Sequence, residues 1–176
     1  MRTRATLGLL LAVLAGGCGG TRTVVRTVTV APSAAHALTT VDQRFYGRIE
    51  SLQRRGDRYE LRFKPAWFLT GLTANVAQAE DQGTACAPSA CPPVANDNYA
   101  IEGARALTFI VPAGVRGTVL GTGGSNGFRP RRISAAQLAG LVAGTSSLKL
   151  FEPLSSGVWI LVHVDTVRAF AQQYHP

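Results

Sequence analysis

The sequence predicts an α+β fold, mainly an antiparallel twisted sheet or a small partly open barrel with two short helices. Segments typical of strands outnumber those typical of helices, by six or seven to two. No strand–helix–strand unit repeats along the chain, so a doubly wound parallel sheet is not expected. The clearest strand signal is a strict alternation of apolar and charged residues, and the clearest helix signal is a capping box.

The first predicted elements form a hairpin. Two segments at 45–52 and 58–64 flank a turn that contains Gly56 and Asp57. Apolar and charged side chains alternate at every position of the second segment, which predicts a strand with one solvated face. Pro65 is expected to end this strand, because proline cannot donate to a sheet ladder.

The middle of the chain predicts one helix, three strands and two loops. Apolar residues spaced by four predict the helix at 69–81, and three prolines mark 82–98 as a loop. Strands are expected near 99–101, 106–111 and 115–120, and a second loop at 121–130.

The last third of the chain carries the clearest helix signal and a second hairpin. Ser134 and Gln137 form a capping-box pattern, which predicts a helix at 135–143. Segments 157–164 and 166–171 predict a hairpin that turns at Asp165. The first of these is apolar on both faces, so it is expected to lie at the centre of the sheet.

The N-terminus predicts export. Two arginines, an apolar run at 7–15 and small residues have the order of a secretory signal peptide at 1–17. The run is too short to span a bilayer. The sequence Leu14-Ala15-Gly16-Gly17-Cys18 resembles the lipobox of bacterial lipoproteins, which implies cleavage before Cys18 and lipidation of that residue. An ordinary signal peptide with a chance cysteine is the alternative.

The lipobox resemblance implies a signal peptide at 1–17 and a lipidated Cys18. Residues up to 43 contain no aromatic residue to anchor a core, which predicts a flexible tether, and one extracytoplasmic domain is expected at 44–176. The domain would be anchored at the outer face of the cell membrane, or at an outer membrane if the envelope has one. More than one acyl chain would make this anchoring stable.

The chain contains three cysteines, an odd number for an exported protein. If Cys18 is acylated, Cys86 and Cys91 remain as a pair in a loop rich in proline and alanine. We predict a disulfide, whose six-residue ring would stabilise the fold by about 2 kcal/mol on the loop-entropy model. A metal-binding pair is the alternative, but its spacing is wrong and no histidine accompanies it, so no metal or cofactor is expected.

The chain is basic, with 18 Lys and Arg against 10 Asp and Glu. Removal of Arg2 and Arg4 with the signal peptide leaves 16 against 10, a net charge of +6. Two arginine clusters are candidate binding sites for an anionic envelope polymer or lipid head groups, although a solvated charged face is the alternative. They comprise Arg129, Arg131 and Arg132, and Arg54, Arg55 and Arg58. Nucleic acid is not an expected partner of an exported protein.

Few residues suggest catalysis, and no nucleophilic serine motif is present. Asp97 and Tyr99 follow a turn and could line a binding groove, although Asn and Asp are also common turn residues. His163 shares a strand face with Trp159 and is more typical of a structural residue than of a catalyst. A hydrolase, or a hydrolase accessory, using Asp97 and His163 is the alternative function, and it needs the two within hydrogen-bond reach.

The domain also resembles small actinobacterial-type lipoproteins of uncharacterised function, through 45–49, 64–66, 96–99, 158–160 and 172–174. This resemblance implies the extracytoplasmic address and no activity. The sequence therefore predicts a lipid-anchored envelope protein with a non-catalytic binding or structural domain, whose partner is an anionic polymer or a protein.

Overall fold

The computed structural model describes residues 41–175. The predicted signal peptide, Cys18 and most of the tether lie outside the described residues. The first strand begins at Gln43, next to the predicted domain boundary. No helix among the described residues is long and apolar enough to cross a membrane.

Eight strands and two α-helices make up the described part of the chain. In chain order they are β1 Gln43–Arg55, β2 Arg58–Thr70, α1 Gly71–Asp81, β3 Asn98–Glu102, β4 Leu107–Pro112, β5 Arg116–Thr122, β6 Phe128–Ser134, α2 Ala135–Val142, β7 Val158–His163 and β8 Thr166–Gln172.

Five of the strands close into a small barrel, in the order β1, β2, β4, β8, β7 and back to β1. Most of these pairings are antiparallel. The closing contact between β4 and β8 is parallel and short: Ile110 lies opposite Thr166, and its N–H donates to the Asp165 carbonyl over 2.9 Å. The expectation of a mainly β fold with a small barrel and two helices is confirmed, whereas a twisted sheet describes the closed ring less well.

Two arms extend from the barrel. Strand β3 continues along the edge of β2 beyond the point where β4 leaves it. The β5–β6 hairpin is attached to the edge of β8, next to β4. Strand β7 lies between β1 and β8, which confirms its predicted central position.

The barrel interior is filled by the alternate apolar residues of the strands. Leu61 and Phe63 of β2 are almost fully buried, and Ile160 of β7 packs in the same core. The charged residues between them on β2 face solvent, as the alternation predicted.

The expected end of β2 at Pro65 is wrong, since the strand continues to Thr70. The Pro65 carbonyl accepts a hydrogen bond from the Gly103 N–H over 2.7 Å, on the side of β3. In a strand the nitrogen and carbonyl of one residue point to the same edge. The Pro65 nitrogen, which carries no hydrogen, therefore points to the edge of β2 where β4 has ended and β3 begins. No ladder hydrogen bond is lost there.

The expected loop at 121–130 is also wrong at its end, because β6 begins at Phe128. Gly123, Gly124 and Gly127 have positive φ and make the turn of the β5–β6 hairpin. Strand β6 was not predicted because its arginines and proline leave no alternation of apolar and polar residues.

Both predicted helices are present. The α2 capping box is confirmed: the Ser134 hydroxyl accepts from the Gln137 N–H, and the Gln137 side chain accepts from the Ser134 N–H. Helix α1 begins at Gly71, two residues later than expected. The predicted disulfide between Cys86 and Cys91 is formed within the loop that follows α1.

Candidate functional site

A cleft opens where the pairing of β1 and β2 stops. The last registered pair is Tyr46 opposite Ala66. Beyond it, β1 stays with β7 and β2 stays with β3, so the two strands separate. The resulting cleft has a volume of about 430 Å³, which is within the range of ligand pockets in proteins.

Aromatic rings line this cleft. The ring centroids of Tyr46, Phe68 and Trp159 lie 4.8 to 5.8 Å apart in tilted and edge-to-face arrangements, as expected for favourable aromatic pairs. Trp67 also lines the cleft, and 72% of its surface is exposed. An exposed tryptophan beside a half-buried aromatic cluster is a typical feature of interaction sites.

The polar atoms of these aromatic residues have partners inside the protein. The Tyr46 hydroxyl donates to the Ser156 carbonyl over 2.8 Å. The Trp159 Nε1–H donates to the Gln173 side chain over 2.7 Å. These bonds fix the two rings. Tyr46 is itself buried and supports the half-buried ring of Trp159, so the apolar surface of the cleft is preorganised.

The C-terminal segment closes the back of the aromatic cluster. The His175 Nδ1 lies 2.9 Å from Glu152 Oε2, and its Nε2 lies 3.4 Å from the Tyr46 hydroxyl. Burial raises the pKa of the Tyr46 phenol, and the negative charge of Glu152 raises it further.

This raised pKa predicts a loss of stability in alkali. The unfolded tyrosine ionises near pH 10, below the pKa of folded Tyr46, so the free energy of unfolding should fall as the pH rises through this range. Tyr46→Phe should flatten the fall, while lowering stability at neutral pH by about 1 kcal/mol through loss of the bond to Ser156. Urea denaturation at pH 8 and above pH 10 measures both effects, and an unchanged slope in the variant would contradict the prediction.

Arg44 is the charged residue of the cleft lining. Its guanidinium carbon lies 5.1 Å from the centroid of the Trp159 ring, in cation–π geometry. Among the described residues it forms no ion pair, whereas Arg48 and Arg62 pair with glutamates. The Arg44 charge is therefore free to meet an anionic group of a ligand.

The first predicted arginine cluster does not form one surface. Arg129, Arg131 and Arg132 all lie exposed on β6. Because side chains alternate along a strand, Arg129 and Arg131 point to one face of the hairpin and Arg132 to the other. A binding site that needs all three arginines on one face is therefore not supported here, and the candidate role of this cluster stays a prediction. The sequence could not show the split, because β6 had not been predicted as a strand.

The composition of β6 suits an unpaired edge. No strand pairs with its outer edge in the described part of the chain. The carbonyl of Leu120, which lies opposite Pro130, accepts from the Phe151 N–H on the far side of β5. The Leu120–Pro130 pair thus exchanges no hydrogen bonds, and the proline nitrogen points outward. Proline and arginine on such an edge prevent pairing with another chain.

We predict that Pro130→Val combined with Arg131→Val makes the protein aggregate. The change restores a backbone donor and removes a charge at the exposed edge, so strands of two chains could pair. Light scattering during incubation at micromolar concentration should show that aggregates of the double variant grow faster than those of the unchanged protein. Arg105→Val, in the loop between β3 and β4, removes the same charge away from the sheet edge and serves as the control. Equally fast aggregation of the β6 double variant and of Arg105→Val would contradict the explanation that β6 is a protected sheet edge.

The second arginine cluster flanks the turn between β1 and β2. Arg54 donates to the Gly56 carbonyl, and Arg55 donates to the Gln53 side chain. Arg55 lies opposite Arg58 in the ladder. Within the described residues none of the three forms an ion pair, so they make an exposed positive end of the hairpin. This arrangement also fits the alternative interpretation, a solvated charged face.

Asp97 and Tyr99 have different partners near the start of β3. The Asp97 carboxylate accepts from the Gly71 N–H over 3.2 Å, and the Tyr99 hydroxyl donates to Asp81 over 2.6 Å. This hydrogen bond raises the pKa of Tyr99. The hollow beside Tyr99 is lined by three carboxylates, those of Glu80, Asp81 and Glu102. Such a lining would repel an anionic polymer, so this predicted groove does not suit that ligand.

His163 is not hydrogen-bonded to Asp97. Its Nδ1 lies 2.8 Å from the Asp42 carboxylate, at the start of β1. The hydrolase alternative needed His163 and Asp97 to be in hydrogen-bond reach, and each has another partner.

Sequence analysis did not single out the cleft residues. Tyr46 and Trp159 lie opposite each other on β1 and β7, on the outer face of the barrel. The only signal in the sequence was an aromatic residue at an outward-facing position of each strand. The two positions can be recognised as neighbours only when the strand register is known.

Comparisons with protein families, with curated proteins and with solved structures found no match for this chain.

Proposed function

We propose that this protein is a lipid-anchored extracytoplasmic envelope protein whose domain binds an anionic ligand in the cleft between β1 and β2 and catalyses no reaction. The observation that carries the proposal is the Arg44 guanidinium, which has no ion-pair partner among residues 41–175, above a preformed aromatic surface. The Cys86–Cys91 disulfide is compatible with an oxidising, extracytoplasmic compartment. The lipobox-like sequence at Cys18 supports the membrane anchor.

The cleft has the two properties that an anion-binding site on a protein surface needs. Its aromatic faces offer apolar contact that is already held in place, which limits the entropy lost on binding. The planar guanidinium can bind a carboxylate or phosphate through two parallel hydrogen bonds. A ligand that combines an apolar surface with an anionic group would use both properties at once.

The binding proposal is tested with the full chain in detergent. We expect its unfolding midpoint to rise with the concentration of an anionic polymer, poly-glutamate or poly-galacturonate, and to be unchanged by neutral dextran. The rise should shrink as salt is added. Arg44→Gln and Trp67→Ala should abolish it, and neither change touches the buried core.

Arg116→Gln is the matched control, since it removes an exposed arginine on β5 that does not line the cleft. If the rise survives Arg44→Gln but is lost when Arg129, Arg131 and Arg132 become Ala, the ligand binds β6 and the cleft proposal is wrong. No rise with either polymer would contradict the proposed function itself.

The anchor is tested separately in the producing cells. Growth with a labelled fatty acid should label the unchanged protein and leave Cys18→Ser unlabelled. Equal labelling of both would contradict the lipid anchor and leave the cleft proposal untouched.

A further inference from the structure

We infer that the ligand of the cleft is an extended, acidic polypeptide segment that pairs as a strand with the open edges of β1 and β2. This inference rests on the proposed binding function and names its ligand class. It follows from the direction of the backbone groups along the two strands at the point where they separate.

The backbone of β2 presents unpaired groups to the cleft. The Pro65 carbonyl points toward β3, where it accepts from Gly103. Backbone groups alternate in direction along a strand, so those of Ala66 and Phe68 point to the opposite edge, toward β1. Ala66 lies opposite Tyr46 in the last pair of the ladder, and Phe68 comes after it. The N–H and C=O of Phe68 therefore face the cleft without a ladder partner.

The same argument applies to β1. The groups of Ala66 point toward β1, so the Tyr46–Ala66 pair is a hydrogen-bonded pair and the groups of Tyr46 point toward β2. Those of Arg44, two residues earlier, point the same way. Continuation of the ladder would place Arg44 opposite Phe68, but the registered pairs end before it. Two strand edges thus face each other across the cleft, each held in place by a strand on its other side.

An inserted segment could satisfy both edges. Strand addition obtains its affinity from main-chain hydrogen bonds and its specificity from pockets for alternate side chains. Here one set of side chains would contact the half-buried rings of Phe68 and Trp159, behind which Tyr46 is buried. The opposite set would lie toward Trp67, which is exposed at the rim.

The charge of the cleft determines the kind of segment. Arg44 provides a positive charge without a carboxylate partner among the described residues. Arg44 lies on the same strand face as the rings of the cleft, since its guanidinium is above Trp159. A segment that carries an aromatic or branched apolar residue and a glutamate or aspartate two positions apart, on one face, would match both the rings and the guanidinium. A polysaccharide has no regular series of N–H and C=O groups, so it would leave the backbone groups of Arg44 and Phe68 without matching partners.

The test uses the full chain in detergent and one blocked peptide in which phenylalanine, glutamate and valine occupy every second position, with threonine between them, so that they share one strand face. We expect saturable binding, measured by isothermal titration calorimetry. N-methylation of alternate peptide amides removes donors while the side chains stay the same, and it should weaken binding at least about tenfold. In hydrogen exchange, the amides of Arg44 and Phe68 should become protected when the peptide binds.

The controls distinguish the ligand class from the binding function. A peptide with glutamine at each glutamate, and the Arg44→Gln protein, should each bind more weakly, while Arg116→Gln should bind normally. Binding that is indifferent to N-methylation would overturn strand pairing. Arg44-dependent binding of poly-galacturonate without binding of the peptide would overturn the peptide inference and leave the proposed function standing. Failure of both probes would overturn both proposals.

Discussion

Gly117→Ala is expected to lower the free energy of unfolding by about 3 kcal/mol. Gly117 lies on β5 opposite Phe170 of β8, where the β5–β6 hairpin is attached to the barrel. A Cβ at this position would overlap the carbonyl oxygen and the ring of Phe170. Because backbone cannot rotate away as a flexible side chain can, either the two strands separate or the Phe170 ring leaves the core.

Chemical denaturation of Gly117→Ala and Gly114→Ala measures this effect. No atom lies within 4 Å of a Cβ built on Gly114, whose φ is not in the left-handed region. Gly114→Ala should therefore change stability by no more than about 1 kcal/mol, and in the stabilising direction. A similar decrease in the free energy of unfolding in both variants would show that β5 and β8 are farther apart than the structure places them.

Phe63→Ala is expected to lower the free energy of unfolding by about 4 kcal/mol, the usual range for a fully buried phenylalanine. Phe63 of β2 has no exposed surface. Its ring packs edge-to-face against Phe109 of β4, which in turn packs against Phe45 of β1. Removal of the ring leaves a cavity among three strands of the closed barrel, and the other strands limit how far it can collapse.

Phe151→Ala is the matched control for this prediction. Phe151 is 41% exposed and packs in a peripheral aromatic cluster with Phe128 and Tyr174. Its loss should lower stability by about 1 kcal/mol. Urea denaturation of both variants gives the comparison, and equal losses would mean that the interior of the barrel is not as tightly packed as described.

Local sequence determined the elements whose signal lies within a few residues. The alternation around Leu61 predicted the buried face of β2, and the pair Ser134 and Gln137 predicted the start of α2. The disulfide between Cys86 and Cys91 was predicted from the odd number of cysteines and from the loop composition. Each of these inferences needs only the side-chain period or a short-range hydrogen bond.

The tertiary structure alone decided which strands became neighbours. A side-chain period of two tells which face of a strand is buried, but it does not tell which strand lies at each edge. Pro65 could therefore not be recognised as compatible with a continuous strand, and Arg132 was grouped with Arg131 although the two lie on opposite faces. For the same reason, the closure of the barrel through Ile110 could not be predicted.

The cleft depends on the same non-local information. Tyr46, Phe68 and Trp159 come from three strands, and they meet because the β1–β2 ladder ends at Tyr46 and Ala66. No local pattern marks the residue at which two strands separate. That point depends on distant strands, because β1 follows β7 and β2 follows β3 beyond it. The sequence by itself determined the strands, the α2 cap and the disulfide loop, whereas the pairing of distant edges created the candidate site.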